Sequence, residues 1–216
     1  MRSLSRSTLG STWGRRDGTL DRQQEFQEPY GHRCEVLSFV TYDRGILRIE
    51  GRDNVTEGYV MKGVAIRLGD DVDTDQIIAG RYLRTKDKSI WAEHAFEDLD
   101  PGLSSRLKGS VIVAGKNMGC GSSREQAAIA LKEAGVVAVV AESFARIFFR
   151  NAINRGIPLF EIPGGVTCSE GDEISISLER SCIEIDGHTY QALRLSDRMR
   201  EIIDAGGLIE VRRRGV

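Results

Sequence analysis

Residues 110–162 carry the pattern that most limits the fold: strand, helix, strand, helix, strand. Val111, Ile112 and Val113 form a β-type run that ends in a loop containing Gly115, Gly119 and Gly121. A helical pattern opens at Ser122-Ser123-Arg124-Glu125, where Ser122 and Glu125 stand at capping-box spacing. Val136–Glu142 (VVAVVAE) is an unbroken, mostly β-branched run, as expected for a strand buried on both faces of a parallel sheet. Ser143 is placed to cap the next helix, FARIFFRNAINRG, which Gly156 closes, and Pro158–Ile162 supplies a further strand. This alternation predicts an α/β fold with a right-handed, parallel βαβ core.

The flanks predict an antiparallel addition. Val64, Ile66 and Leu68 alternate as in a strand, and so do Ile174, Ile176 and Leu178. Asp186-Gly187 is a hairpin signal after Cys182-Ile183-Glu184-Ile185. A helix is expected around Ile90–Phe96, a turn at Asp100-Pro101-Gly102, and a short amphipathic helix over Ser196–Ala205, stopped by Gly206-Gly207. Leu208–Val211 reads as a final strand.

Residues 1–60 differ from the rest. Met1–Arg16 holds four arginines and no acid, a composition resembling a transit peptide but lacking an apolar moment or a secretory core. The reading preferred is a poorly ordered extension or a start set too far upstream, with Met61 as the alternative start and residues 61–216 as the folded domain. Within the extension, Cys34–Glu50 suggests a hairpin about Asp43-Arg44-Gly45.

A net charge of −2 leaves no nucleic-acid footprint, and the longest apolar runs are far too short to span a bilayer. A soluble cytoplasmic chain is expected. Cysteines 34, 120, 168 and 182 are widely spaced without C-x-x-C, so neither a zinc site nor an iron–sulfur ligand set is read from them. Cys120 is read as packing, and His94 is assigned no role.

The chemistry concentrates in GKNMGCGSSRE. A glycine-rich turn feeding a helix start presents unpaired N–H donors and the positive end of the helix dipole, which suits a carboxylate or phosphate. Arg124 adds a guanidinium fork. The loop is not a Walker A motif, because no lysine precedes the serines, and Arg124 occupies the third glycine place of a dinucleotide fingerprint. Gly-x-Ser-x-Gly is absent. Ser122 as a helix cap alone remains the competing reading, but a cap requires neither the two flanking glycines nor Arg124. Upstream, Asp73, Thr74 and Asp75 crowd one loop, where turns and caps are the ordinary explanation, and Tyr82-Leu83-Arg84-Thr85 follows.

GDDVDTDQIIAGRYL (69–83), GKNMGCGSSREQA (115–127) and SFARIFFRNAINRG (143–156) together resemble the small-subunit family of 3-isopropylmalate dehydratase (isopropylmalate isomerase). This family is the separate-chain form of the swivelling domain of the aconitase superfamily. The resemblance covers nearly everything after Met61. It implies a swivelling β/β/α domain and a hydro-lyase active only with a large subunit, in a heterodimer or heterotetramer. The family's [4Fe–4S] cluster sits in that large subunit, so no cofactor or metal is expected on this chain. It further implies Ser122 as general base and Ser123 and Arg124 as ligands of a substrate carboxylate. Asp73, Thr74 and Asp75 would orient neighbours, Gly119 and Gly121 would shape the loop, and Arg146 would support it. Tyr82 and Arg84 fall in the loop that meets the group distinguishing substrates; Arg84 suits a third carboxylate, as in homoaconitate, whereas an isopropyl group suits apolar neighbours. The expected substrates are thus small di- or tricarboxylates, with isopropylmalate first, homoaconitate or dual specificity second, and a stand-alone anion-binding regulatory domain as the non-enzymatic alternative.

Overall fold

The computed structural model describes residues 60–215 and, within residues 1–59, the strand segments Arg15–Arg16, Thr19–Leu20, Phe39–Asp43 and Ile46–Glu50. The chain divides into two compact units, Met1–Tyr59 and Val60–Val216. In the smaller unit Phe39–Asp43 pairs antiparallel with Ile46–Glu50, Asp43 opposite Ile46, as expected of the hairpin. The readings of 1–60 as poorly ordered or as a mis-set start lie outside the described residues.

Among the described residues of the larger unit, seven strands form one path. They are β1 (Val60–Arg67), β2 (Ser110–Ala114), β3 (Ala138–Ala141), β4 (Leu159–Glu161), β5 (Glu173–Ser177), β6 (Cys182–Ile185) and β7 (His188–Gln191). Their order is β7-β6-β5-β1-β2-β3-β4. β1 to β4 are mutually parallel, and β5, β6 and β7 join antiparallel through β1. The parallel core with an antiparallel portion is therefore present. Every residue of β2 and β3 is buried, which is why their sequences run apolar instead of alternating.

The helices are α1 (Thr74–Ile77), α2 (Lys88–Glu93), α3 (Glu125–Glu133), α4 (Arg146–Arg155), α5 (Asp197–Asp204) and α6 (Leu208–Arg213). α3 buries Ala127–Leu131, and α4 buries Phe148, Ala152 and Ile153. Each large apolar side chain so buried contributes about 1.5–3 kcal/mol, several times the worth of a cap, so packing against the sheet dominates helix placement. Gly156 ends α4 at φ 78°, and Asp186 and Gly187 both take positive φ in the two-residue β6–β7 turn.

Four expectations need correction. α3 begins at Glu125 with Arg124 in the cap position and no side-chain cap, so the Ser122–Glu125 capping box is absent. Ser143 does not cap α4; Ala145 holds that position, and Ser143 Oγ accepts the Asn117 N–H instead. Leu208–Val211 is helical. Gly206 and Gly207 turn the chain at φ 84° and 131°, Val211 is buried while Ile209 faces solvent, and Glu210 pairs with Arg213 one turn on. That burial period is helical, and four apolar-rich residues are too few to distinguish it from a strand. The helix expected to Phe96 ends at Glu93, and Phe96 sits at φ 61°.

Candidate active site

The loops leaving the carboxyl ends of β1, β2 and β3 meet, and in an open parallel sheet that is where ligands bind. The β2–α3 loop lies in the middle. Towards the β1–α1 loop, Gly115 N–H donates to Gly69 C=O (3.1 Å), Gly119 N–H to Val72 C=O (2.7 Å) and Thr74 N–H to Cys120 C=O (2.9 Å). Asp71 N–H donates to Lys116 C=O, while Asp70 and Asp71 accept from Lys116 N–H and Asn117 Nδ2 at 2.8 Å each. On the other side Met118 N–H donates to Ser143 C=O (3.0 Å), and Ala145 N–H to Met118 C=O (2.9 Å). Gly119 takes φ 80°, and a Cβ there would overlap the Phe148 ring. Gly121, at φ 83°, lies against Asp73 and Thr74. The three sequence blocks are thus one constellation.

Asp73 and Thr74 hold the frame. Asp73 caps α1, its carboxylate accepting the Gln76 N–H (2.8 Å) while Gln76 Oε1 accepts the Asp73 N–H (2.9 Å). The capping box expected at Ser122 is therefore built here. Thr74 is buried, and its hydroxyl donates to Ser122 C=O at 2.9 Å. Asp75 accepts from Arg124 Nη1, which also donates to Ile78 C=O (3.1 Å). Only 18% of the Arg124 side chain is exposed, and its Nε and Nη2 donate to none of the described residues. Gly80 passes beside Nη2, where a Cβ would lie in ordinary contact at 3.7 Å. Ser122 and Ser123 are exposed, and their hydroxyls make no bond to the described residues. Two open hydroxyls therefore stand beside a pinned guanidinium at the start of α3, where N–H groups lack helical partners.

Arg84 ends a 3₁₀ turn over Gly80–Arg84, is exposed, and pairs with none of the described residues. Tyr82 donates its hydroxyl to Glu97, its ring stacks on His94 at 4.0 Å, and its carbonyl accepts from Trp91 Nε1 (3.0 Å). Arg146 opens α4 as an exposed side chain without a bond to the described residues. Cys120 is half-buried; burial first, and then Asp73 and Asp71, push its thiol pKa up. Sequence reasoning assigned His94 no role and did not reach Glu97. Glu97 lies fifteen residues from Tyr82, with no spacing rule to link them. Among the described residues, no group of three or more His, Cys, Asp or Glu is placed to hold a metal ion. Nor is any helix among them long and apolar enough to cross a membrane.

A parallel sheet extended by antiparallel strands, with a Gly-Cys-Gly-Ser-Ser-Arg loop clasped between two others, defines a domain of the aconitase C-terminal type. The family model for the aconitase C-terminal domain matches residues 70–163. A "3-isopropylmalate dehydratase small subunit" from Methanosarcina mazei is 48% identical over 157 residues, covering 71% of this chain and 97% of that protein. A "methanogen homoaconitase small subunit" from Methanothermobacter thermautotrophicus is 50% identical over 153 residues, covering 69% and 89% respectively. A crystal structure described as 3-isopropylmalate dehydratase (leuD) from Methanocaldococcus jannaschii superposes with a TM-score of 0.68 at 45% identity, covering 72% of this chain and 95% of that one. The chain belongs to the family of 3-isopropylmalate dehydratase small subunits.

Proposed function

We propose that this chain is the small subunit of a hydro-lyase that interconverts 2- and 3-isopropylmalate by dehydration and rehydration, in leucine biosynthesis and in the cytoplasm. It would work with a large subunit carrying a [4Fe–4S] cluster, which supplies a Lewis-acidic iron for the departing hydroxyl. The functional part is residues 61–216, with residues 1–60 an extension.

The observation that carries the reading is the open Ser122-Ser123 pair beside an Arg124 pinned by Asp75 and Ile78 C=O. Ser122 takes the proton α to a carboxylate. A serine hydroxyl is a weak base unless its oxyanion is stabilised, and the amides at the start of α3 and the Arg124 charge provide that stabilisation. Ser123 and the uncommitted face of Arg124 hold the carboxylate, planar fork against planar anion. Because Arg124 is already oriented by Asp75, little of its freedom is lost on binding. The test is anaerobic hydration by the chain reconstituted with its large subunit. Turnover that vanishes in Ser122→Ala supports the role. A chain that copurifies with no cluster-bearing partner argues instead for a stand-alone anion-binding domain.

A second reading is homoaconitase, or dual specificity. Arg84 is exposed and unpaired among the described residues, free to meet a third carboxylate, and a homoaconitase small subunit is among the relatives. Arg84→Val should depress turnover of homoaconitate far more than of isopropylmalate; equal losses would remove Arg84 as a selector.

A further inference from the structure

The turn that presents Arg84 is held from behind by side chains that have no part in the reading above. Glu97 lies at their centre. Its carboxylate accepts the Tyr82 hydroxyl and Arg81 Nη2 (2.9 Å), and His94 Nδ1 stands 3.3 Å away. Arg81 also pairs with Asp98, and its guanidinium lies 4.9 Å above the Tyr82 ring. His94 stacks on that ring at an interplanar angle of 10°. The Tyr82 hydroxyl first, and Arg81 next, hold the Glu97 carboxyl below its usual range, so it is an anion at neutral pH.

The backbone brings Glu97 to this place at a cost. Phe96 is fully buried at φ 61°, a region that a bulky residue enters only under tertiary constraint. Its N–H donates to Ile77 C=O (3.0 Å), in α1, and Ile78 C=O is the acceptor that helps pin Arg124. The reversal at Phe96 therefore ties Glu97 to the same short helix that holds the carboxylate-binding arginine. Tyr82 and Arg81 in turn tie Glu97 to the Gly80–Arg84 turn.

We propose that Glu97 is a positioning residue for substrate discrimination: through Tyr82 and Arg81 it fixes the Gly80–Arg84 turn, and so the place of Arg84 relative to Arg124. The proposal rests on the second reading above, in which Arg84 meets a third carboxylate. Tyr82, its hydroxyl engaged by Glu97, serves by holding the turn.

The test compares Glu97→Ala, Glu97→Gln, Tyr82→Phe and the Glu97→Ala/Tyr82→Phe double variant in the reconstituted two-subunit enzyme. Glu97→Ala should raise KM for homoaconitate about tenfold, with kcat changing less than about threefold and a smaller KM change for isopropylmalate, because it disturbs placement and leaves the reacting groups intact. Glu97→Gln keeps an acceptor for Tyr82 and should restore most of the loss. The double variant should be no worse than Glu97→Ala, since both lesions cut one connection. Equal KM changes on both substrates, or additive losses, overturn the proposal. Hydrogen exchange of the amides in residues 80–85, read without substrate, should be about tenfold faster in Glu97→Ala, with protection elsewhere unchanged. Unchanged exchange there also overturns it. If the wild-type enzyme turns over neither substrate, the functional reading fails, and the exchange measurement still decides whether Glu97 holds the turn.

Discussion

Ser122 is exposed, and its peptide is held in place by its neighbours: Thr74 donates to its carbonyl, and so does the Arg124 N–H. With the backbone held by others, the side chain is dispensable to the fold. Ser122→Ala is expected to lower turnover by roughly 10²–10⁴-fold, as for loss of a general base, while the melting temperature stays within about a degree. Calorimetry beside the anaerobic assay checks both halves. Cys120, two residues earlier, makes a different prediction. Its thiol pKa is raised, so at any given pH less of it is the reactive thiolate than in an unfolded chain. Site-resolved alkylation should therefore show a midpoint at higher pH in the native protein than in urea. A native midpoint at or below the unfolded one would mean that burial and the two aspartates together do not raise the thiol pKa. The loop stood out in the sequence by residue types alone, because hydroxyls, glycines and an arginine together exceed what a cap needs, and the structure brings Ser122, Ser123 and Arg124 together just before α3. The bond from Thr74 to Ser122 was not, since it spans 48 residues.

At the scale of elements, the β2–α3 loop and α4 fit without clearance at Gly119 and Phe148. Gly119→Ala meets the ring and also forces a side chain into positive φ; together these should cost about 2–5 kcal/mol. Chemical denaturation measures the loss, and Gly119→Ala combined with Phe148→Ala should leave only the backbone share of the loop distortion on top of the Phe148→Ala cost. A Gly119→Ala protein as stable as wild type would contradict the fit. The elements best read from sequence were those whose signal is local: the buried runs of β2 and β3, the Asp186-Gly187 turn, and α5 with its Gly206-Gly207 stop. Two of those misread had a competing partner out of local view. Ser122 matches a capping box in spacing, but its carbonyl is taken by Thr74, and the box forms at Asp73 and Gln76. Ser143 matches a cap but accepts from Asn117 across the loop.

For the whole molecule, the unit Val60–Val216 contains the seven-strand path and a buried core, and the Methanosarcina mazei relative is matched over 97% of its length within a 157-residue stretch. A chain beginning at Met61 should therefore fold, assemble with the large subunit and turn over at the full-length rate; failure to assemble would give residues 1–60 a share in the interface. The global order of the sheet was only partly legible, because alternation marks a strand without naming its neighbours. β1 illustrates this: it is parallel to β2 and antiparallel to β5, a strand that begins more than a hundred residues after β1 ends. That arrangement sets a timetable for synthesis. At roughly 5–20 residues per second, the amides of β1 that answer to Ile174–Ser177 must wait roughly 5–20 seconds for their partners to be made. The finished sheet is thus an event at the end of translation, and a ribosome that stalls before Glu173 holds a larger unit whose central strand is unfinished.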